Sequence, residues 1–174
     1  MPAPSPIHGL FLATGFAAGL PHALCAEEPG HDEVRKAIEA GIGIVQKAAR
    51  NYPTHRDCFS CHHQTLPMLA MVEARRFGVD IDEPLLAAQA EFTRESFGDR
   101  LDSVSEGRTV GGRSLTAAYA LWTLDIAGED PGKFGEAFVS YLLKKQAEDG
   151  HWGVQTNRPP IEESKIHTTY LAVT

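Results

Sequence analysis

Cys58-Phe59-Ser60-Cys61-His62-His63 sets two thiols three residues apart, with an imidazole directly after the second. This C-x-x-C-H spacing is the attachment sequence for a c-type haem. Two thiols so placed can add across the two vinyl groups of one macrocycle, and the next side chain can turn its ring onto the iron. Cys58 and Cys61 are then the covalent anchors and His62 the proximal ligand. The sixth position has several candidates. Met68 and Met71 are close in sequence, but both fall in the helix that His62 precedes, which can hardly wrap to the far side of the ring. His31, His55, His151, His167 or a water are the others.

Two other chemistries use the same residue types. His55, Cys58, Cys61 and either His62 or His63 are suitable ligands for a tetrahedral zinc. Ligands bunched in so short a stretch usually need a second ligand pair, and none is visible. A Cys58–Cys61 disulfide or thiol redox pair is the third reading. Neither the disulfide nor the redox pair explains His62. The glycine-rich Gly107-Arg108-Thr109-Val110-Gly111-Gly112-Arg113 matches no phosphate-binding pattern and reads as a loop before a helix, with Ser114 as the cap.

The elements that must position these residues are helical. Val34, Ala37, Ile38, Ile42 and Val45 recur at three- and four-residue steps, with Asp32 as cap and Pro53 as stop. A second helix is predicted from Gln64 through Phe77, ended by Gly78, with Pro67 tolerated in its first turn. Asp82 caps a third, which Glu83 and Pro84 open. Further helices are predicted over Ser114–Ala127, over Lys133–Gln146 with Lys144 and Lys145 in the last turn, and from near Lys165 onward. No segment alternates as a strand would, so the fold class is all-α.

These helices repeat. The segments beginning at Thr65, Thr116 and Thr168 occupy equivalent places, 51 and 52 residues apart. Helix-pair units of this length signal a stacked architecture, in which no unit buries its apolar face alone. Within the repeat, Tyr141-Leu142 is followed by Gln146 and then by Gly150-His151-Trp152. Gln146 can bond backbone at a helix end, Gly150 permits a tight turn, and Trp152 can cover the join between helix pairs with its N–H bonded.

That string resembles the QW repeat of squalene and oxidosqualene cyclases and the related prenyltransferase β-type barrels. Arg158-Pro159-Pro160, Glu163-Ser164 and His167-Thr168-Thr169 look like the stretch that follows such a repeat. The resemblance implies an α/α toroid, in which six helix pairs close a ring. Removing residues 1–26 from 174 leaves 148, about three units, so residues 31–174 are expected to form part of a ring that continues beyond this chain. It also implies two kinds of chemistry to look for. The nearest match to the DxDD acid motif of squalene cyclases is Asp80-Ile81-Asp82-Glu83, which a turn and helix cap explain equally. His167-Thr168-Thr169-Tyr170 resembles the segment carrying the zinc-binding His of prenyltransferases. The Asp-x-Cys that accompanies it there has no counterpart, since no Cys occurs between Asp102 and His167.

Gly9 to Leu20 is an apolar run followed by Pro21 and small residues up to Ala26. It is too short to span a bilayer, and residues 1–26 are expected to be a secretory signal peptide, without the usual basic start. Of the 3 Cys, Cys25 would leave with it. Haem attachment of this kind takes place outside the cytoplasm, so a secreted or periplasmic location agrees with the motif. A net charge of −7 with no basic stripe excludes a nucleic-acid binder, and no other segment could be a transmembrane helix. The expected molecule is an exported toroid-repeat protein carrying haem c, for electron transfer or redox sensing with an unknown redox partner. Two alternatives stand. One is a terpenoid cyclase or prenyltransferase-like enzyme whose catalytic part lies elsewhere. The other is a non-catalytic toroid that binds a partner or an apolar ligand, with Cys58 and Cys61 as disulfide or zinc ligands.

Overall fold

The structure, a computed structural model, describes residues 30–154 and 164–174. The expected signal segment 1–26 and the Arg158-Pro159-Pro160 stretch lie outside the described residues. Among these residues seven α-helices follow in order: α1 (His31–Asn51), α2 (Thr65–Arg76), α3 (Glu83–Glu95), α4 (Leu101–Ser105), α5 (Arg113–Ala127), α6 (Gly132–Lys145) and α7 (Lys165–Val173). Among the described residues there is no strand, only one isolated antiparallel bridge between Gln146 and Trp152. The protein is all-α.

Local chemistry sets the helix ends. Asp82 caps α3 as expected, its side chain accepting from Leu85 N–H at 3.3 Å, with Pro84 in the first turn. Gly78 adopts φ +75° just past α2, which an L side chain resists, and returns its N–H to Arg75 O. Other ends differ from expectation. Asp32 lies inside the first turn of α1; Gly30 is the cap, its N–H satisfied by the Glu33 carboxylate at 3.2 Å. Pro53 does not cut the chain off but sits in a 3-10 turn, Tyr52–Thr54, that continues α1. Ser114 is not a cap: the left-handed Gly112 lets α5 begin a residue earlier, and Ser114 is buried in it. The short α4 was not foreseen, because only Leu101 and Val104 mark it as apolar. It is held from outside, its terminal Ser105 carbonyl accepting from Ser140 Oγ and Lys144 Nζ of α6 at 3.1 and 2.7 Å.

The repeating segments found in the sequence become neighbours. α2 packs on α5, and α5 on α7; α1 packs on α2, α3 and α6 pack on α5, and α4 packs on α6. Thr65, Thr116 and Thr168 each fall within the first four residues of the three adjacent helices. Thr65 joins two of them: its hydroxyl lies 2.7 Å from Thr123 Oγ1 and donates to Tyr119 O at 3.2 Å, all in a buried setting. The main core lies between the helices and includes Met68, Met71, Phe97, Val104, Leu124 and Phe138. Phe97, Phe134 and Phe138 form its aromatic centre, with centroids 4.3 to 5.9 Å apart.

The Gln-x-x-x-Gly-x-Trp segment closes the turn after α6. Gln146 Nε2 donates to Gly150 O at 2.9 Å, and Gly150 takes φ +89°. Trp152 is buried, its indole N–H donating to Leu142 O of α6 at 2.8 Å and its backbone N–H to Thr169 Oγ1 of α7 at 3.1 Å. One tryptophan thereby bonds both helices flanking the turn. Trp152→Phe keeps most of the apolar area but removes the indole bond to the Leu142 carbonyl, which keeps the Gln146 N–H. It is expected to lower unfolding free energy by about 0.5–1.5 kcal/mol, read as a reduced urea midpoint with unchanged m-value.

Candidate functional site

The segment between α1 and α2 carries Cys58, Cys61 and His62. It ends in a helical turn, with Ser60 O accepting from His63 N–H at 3.0 Å and from Gln64 N–H at 2.9 Å. Such a turn cannot hold itself in water, and the structure holds it from beneath. Gln64 is fully buried; its Oε1 accepts from Ser60 N–H at 2.7 Å, and its Nε2 donates to Gln89 Oε1 of α3 at 3.3 Å. Gln89, also buried, passes its own Nε2–H to Ala49 O of α1 at 3.2 Å. A primary amide has a donor at one end and an acceptor at the other, so two in series tie the loop, α3 and α1 with every link satisfied.

Tyr52 covers the outer side of the loop. Its hydroxyl donates to Cys58 O at 3.1 Å and lies 3.6 Å from Cys58 Sγ. Burial, and then the neighbouring Cys58, push this phenol above its ordinary range. The ring stacks on His63 at 4.2 Å, and His63 Nδ1 is 3.2 Å from Ser60 Oγ. His63 is therefore turned back onto the protein. Cys58 is exposed and Cys61 half-buried. His62 is exposed, its Nδ1 lying 3.4 Å from Cys61 Sγ. On the inner side, Phe59 and Cys61 pack against a small cluster of Leu115, Ala118, Tyr119 and Leu171.

Two thiols and an exposed imidazole lie on a turn held by the Ser60 backbone bonds. The zinc set expected from His55, Cys58, Cys61 and His62 or His63 is not brought together. Among the described residues no group of three or more His, Cys, Asp and Glu is placed to hold a metal ion. No protein-family model, curated protein or solved structure matches the chain.

The expected distal candidates separate clearly. Met68 and Met71 are fully buried in the main core and serve its packing. His31 begins the 21-residue α1, about 30 Å along the helix from the end that leads into the loop. His55 is exposed, three residues before Cys58 and in the same loop. His151 Nδ1 is 2.5 Å from Asp149 Oδ1 in the turn after α6. His167 Nε2 is 2.9 Å from the Tyr119 hydroxyl. The Asp80–Glu83 stretch is structural: Asp82 caps α3 and pairs with Arg50, and Asp80 is exposed.

Sequence reasoning missed Tyr52, Gln64, Gln89 and Tyr119. One signal was legible: Leu85, Leu86, Gln89, Ala90 and Thr93 share the inward side of α3, and a glutamine in that register needs a buried partner. Gln64→Leu keeps the volume and leaves both Ser60 N–H and Gln89 Oε1 without a partner. The expected cost is about 2–4 kcal/mol in denaturant unfolding, together with faster hydrogen exchange at the Ser60 amide.

Proposed function

We propose that this chain is an exported, squalene-cyclase-like α/α-toroid repeat protein carrying a c-type haem on the loop before α2. Its role is electron transfer or redox sensing. The observation that carries the reading is the loop itself: Cys58 and Cys61 three residues apart on one turn, His62 exposed beside Cys61, and a backbone held in place by Gln64. Support for the ring architecture comes from the side-by-side α2, α5 and α7, which start with equivalent threonines, and from the Trp152 turn. Export is supported by the apolar run from Gly9 to Leu20 and by the compartment in which such attachment occurs.

Cys58 and Cys61 would hold the haem, each thiol adding its S–H across one vinyl double bond so that a carbon–sulfur bond forms, the proton goes to the adjacent vinyl carbon, nothing leaves and no oxidant is consumed. His62 would supply an imidazole lone pair to the iron. When bound, the haem iron supplies one reversible electron. The rest of the loop acts by position: the Gln64–Gln89 pair keeps Ser60 fixed between the two cysteines, and Tyr52 holds the Cys58 carbonyl.

Expression with a cytochrome c maturation system is expected to give a red protein with one haem per chain by pyridine haemochrome. The colour is expected to survive acidified-acetone extraction and to be lost in the Cys58→Ala/Cys61→Ala double variant. A colourless chain that matures no haem would sink the proposal.

A second reading has an observation of its own. A cavity of about 410 Å³ between α5, α6 and α7 is lined by Leu121, Trp122, Leu142, Leu143 and Leu171, among others, and it favours an apolar ligand. Saturable quenching of tryptophan fluorescence by a long-chain fatty acid, weakened in Leu143→Asp, is the outcome expected if the cavity is used.

A further inference from the structure

Tyr119 belongs to the cluster on which the attachment loop packs, and it bonds a distant histidine. It lies in the second turn of α5, its ring buried in the cluster on which Phe59 and Cys61 pack. Its carbonyl accepts from the hydroxyls of Thr65, the first residue of α2, and Thr123. Backbone and ring are thereby both fixed. Its hydroxyl reaches the other way, to His167 Nε2 at 2.9 Å, with the two rings 5.9 Å apart. His167 is the third residue of α7, and its own N–H donates to Ser164 Oγ at 3.1 Å. The loop before α2 therefore packs on a cluster drawn from α5 and α7, and Tyr119 of that cluster bonds His167, 48 residues away in sequence.

We propose that His167 is the second axial ligand of the haem carried by Cys58, Cys61 and His62, and that Tyr119 is its positioning residue; this rests on the haem reading above. The chemistry is that of a ligating histidine whose far ring nitrogen is held by a hydrogen bond, which fixes the tautomer and the ring orientation. With Nε2–H donating to the Tyr119 oxygen, Nδ1 keeps its lone pair for the iron. No electron is lost on ligation. None of the other candidates joins to the loop in this way. Met68 is enclosed in the core, His31 is a helix length away, His55 shares the segment of the anchors, and His151 is turned to Asp149.

The test uses the full chain matured with haem. Ferric electron paramagnetic resonance and absorption spectra are expected to be those of a low-spin, bis-histidine centre. His167→Ala should convert this to a high-spin spectrum, while His55→Ala and His151→Ala leave it unchanged. His167→Met supplies a different ligand in the same place, and should stay six-coordinate with a raised midpoint potential. Tyr119→Phe should remain low-spin while its midpoint potential rises, because the lost bond makes the imidazole a weaker donor. Helical circular dichroism of each variant reports folding separately. A red protein whose low-spin spectrum persists in both His167 variants, or one that is high-spin before any substitution, overturns this proposal and leaves the haem reading intact. A chain that binds no haem overturns both.

Discussion

Gln64 sits where the exposed loop meets the helices, and its side chain has no contact with water. An uncapped amide in that position would cost several kcal/mol, so the position tolerates only a group that can accept upward and donate downward at once. The Ser60 N–H above and Gln89 below meet that requirement, and Gln89 transmits it to the Ala49 carbonyl at the end of α1. The loop is held by the same bonds that fix α1 against α3. A disturbance of the loop would therefore be felt in the core, and slippage of α1 against α3 would be felt at the cysteines.

The helices beneath are organised around α5. It carries small residues where neighbours approach, with Ala117, Ala118 and Ala120 all buried, and places Thr123 and Tyr119 where α2 begins. Short side chains let backbones come close enough for hydroxyl-to-carbonyl bonds to form between helices. On the α7 side, Trp152 plays the corresponding part, bonding backbone on α6 and a hydroxyl on α7. The Thr65–Thr123, Thr65–Tyr119 and Gln64–Gln89 contacts are buried and satisfied, which gives the packing a definite register. Register matters here because residues from α2, α5 and α7 meet at the loop end.

Much of this was legible along the chain. Apolar spacing located the longer helices to within a residue or two, and Asp82, Gly78 and Gly150 marked the ends and turns they occupy. These signals are local: a cap, a positive φ and a helical period depend on residues within about four positions of each other. The failures are equally local in origin. Ser114 looked like a cap because serine favours that role, but Gly112 opened the helix first. Asp32 lost the same competition to the Gly30–Glu33 pair.

The chemistry divides along the same line. The sequence by itself determined the all-helical class, the repeat near fifty residues, and the Cys58, Cys61 and His62 cluster, since each is a pattern of neighbours along the chain. Tertiary structure alone decided which histidines face the protein and which face away. His63 stacks on Tyr52, His151 turns to Asp149, and His167 meets Tyr119 across 48 residues. It also placed Met68 in the main core. The physical reason is that an imidazole or thioether is directed by whatever packs against it. Those partners come from other helices, brought close only when the apolar faces are stacked.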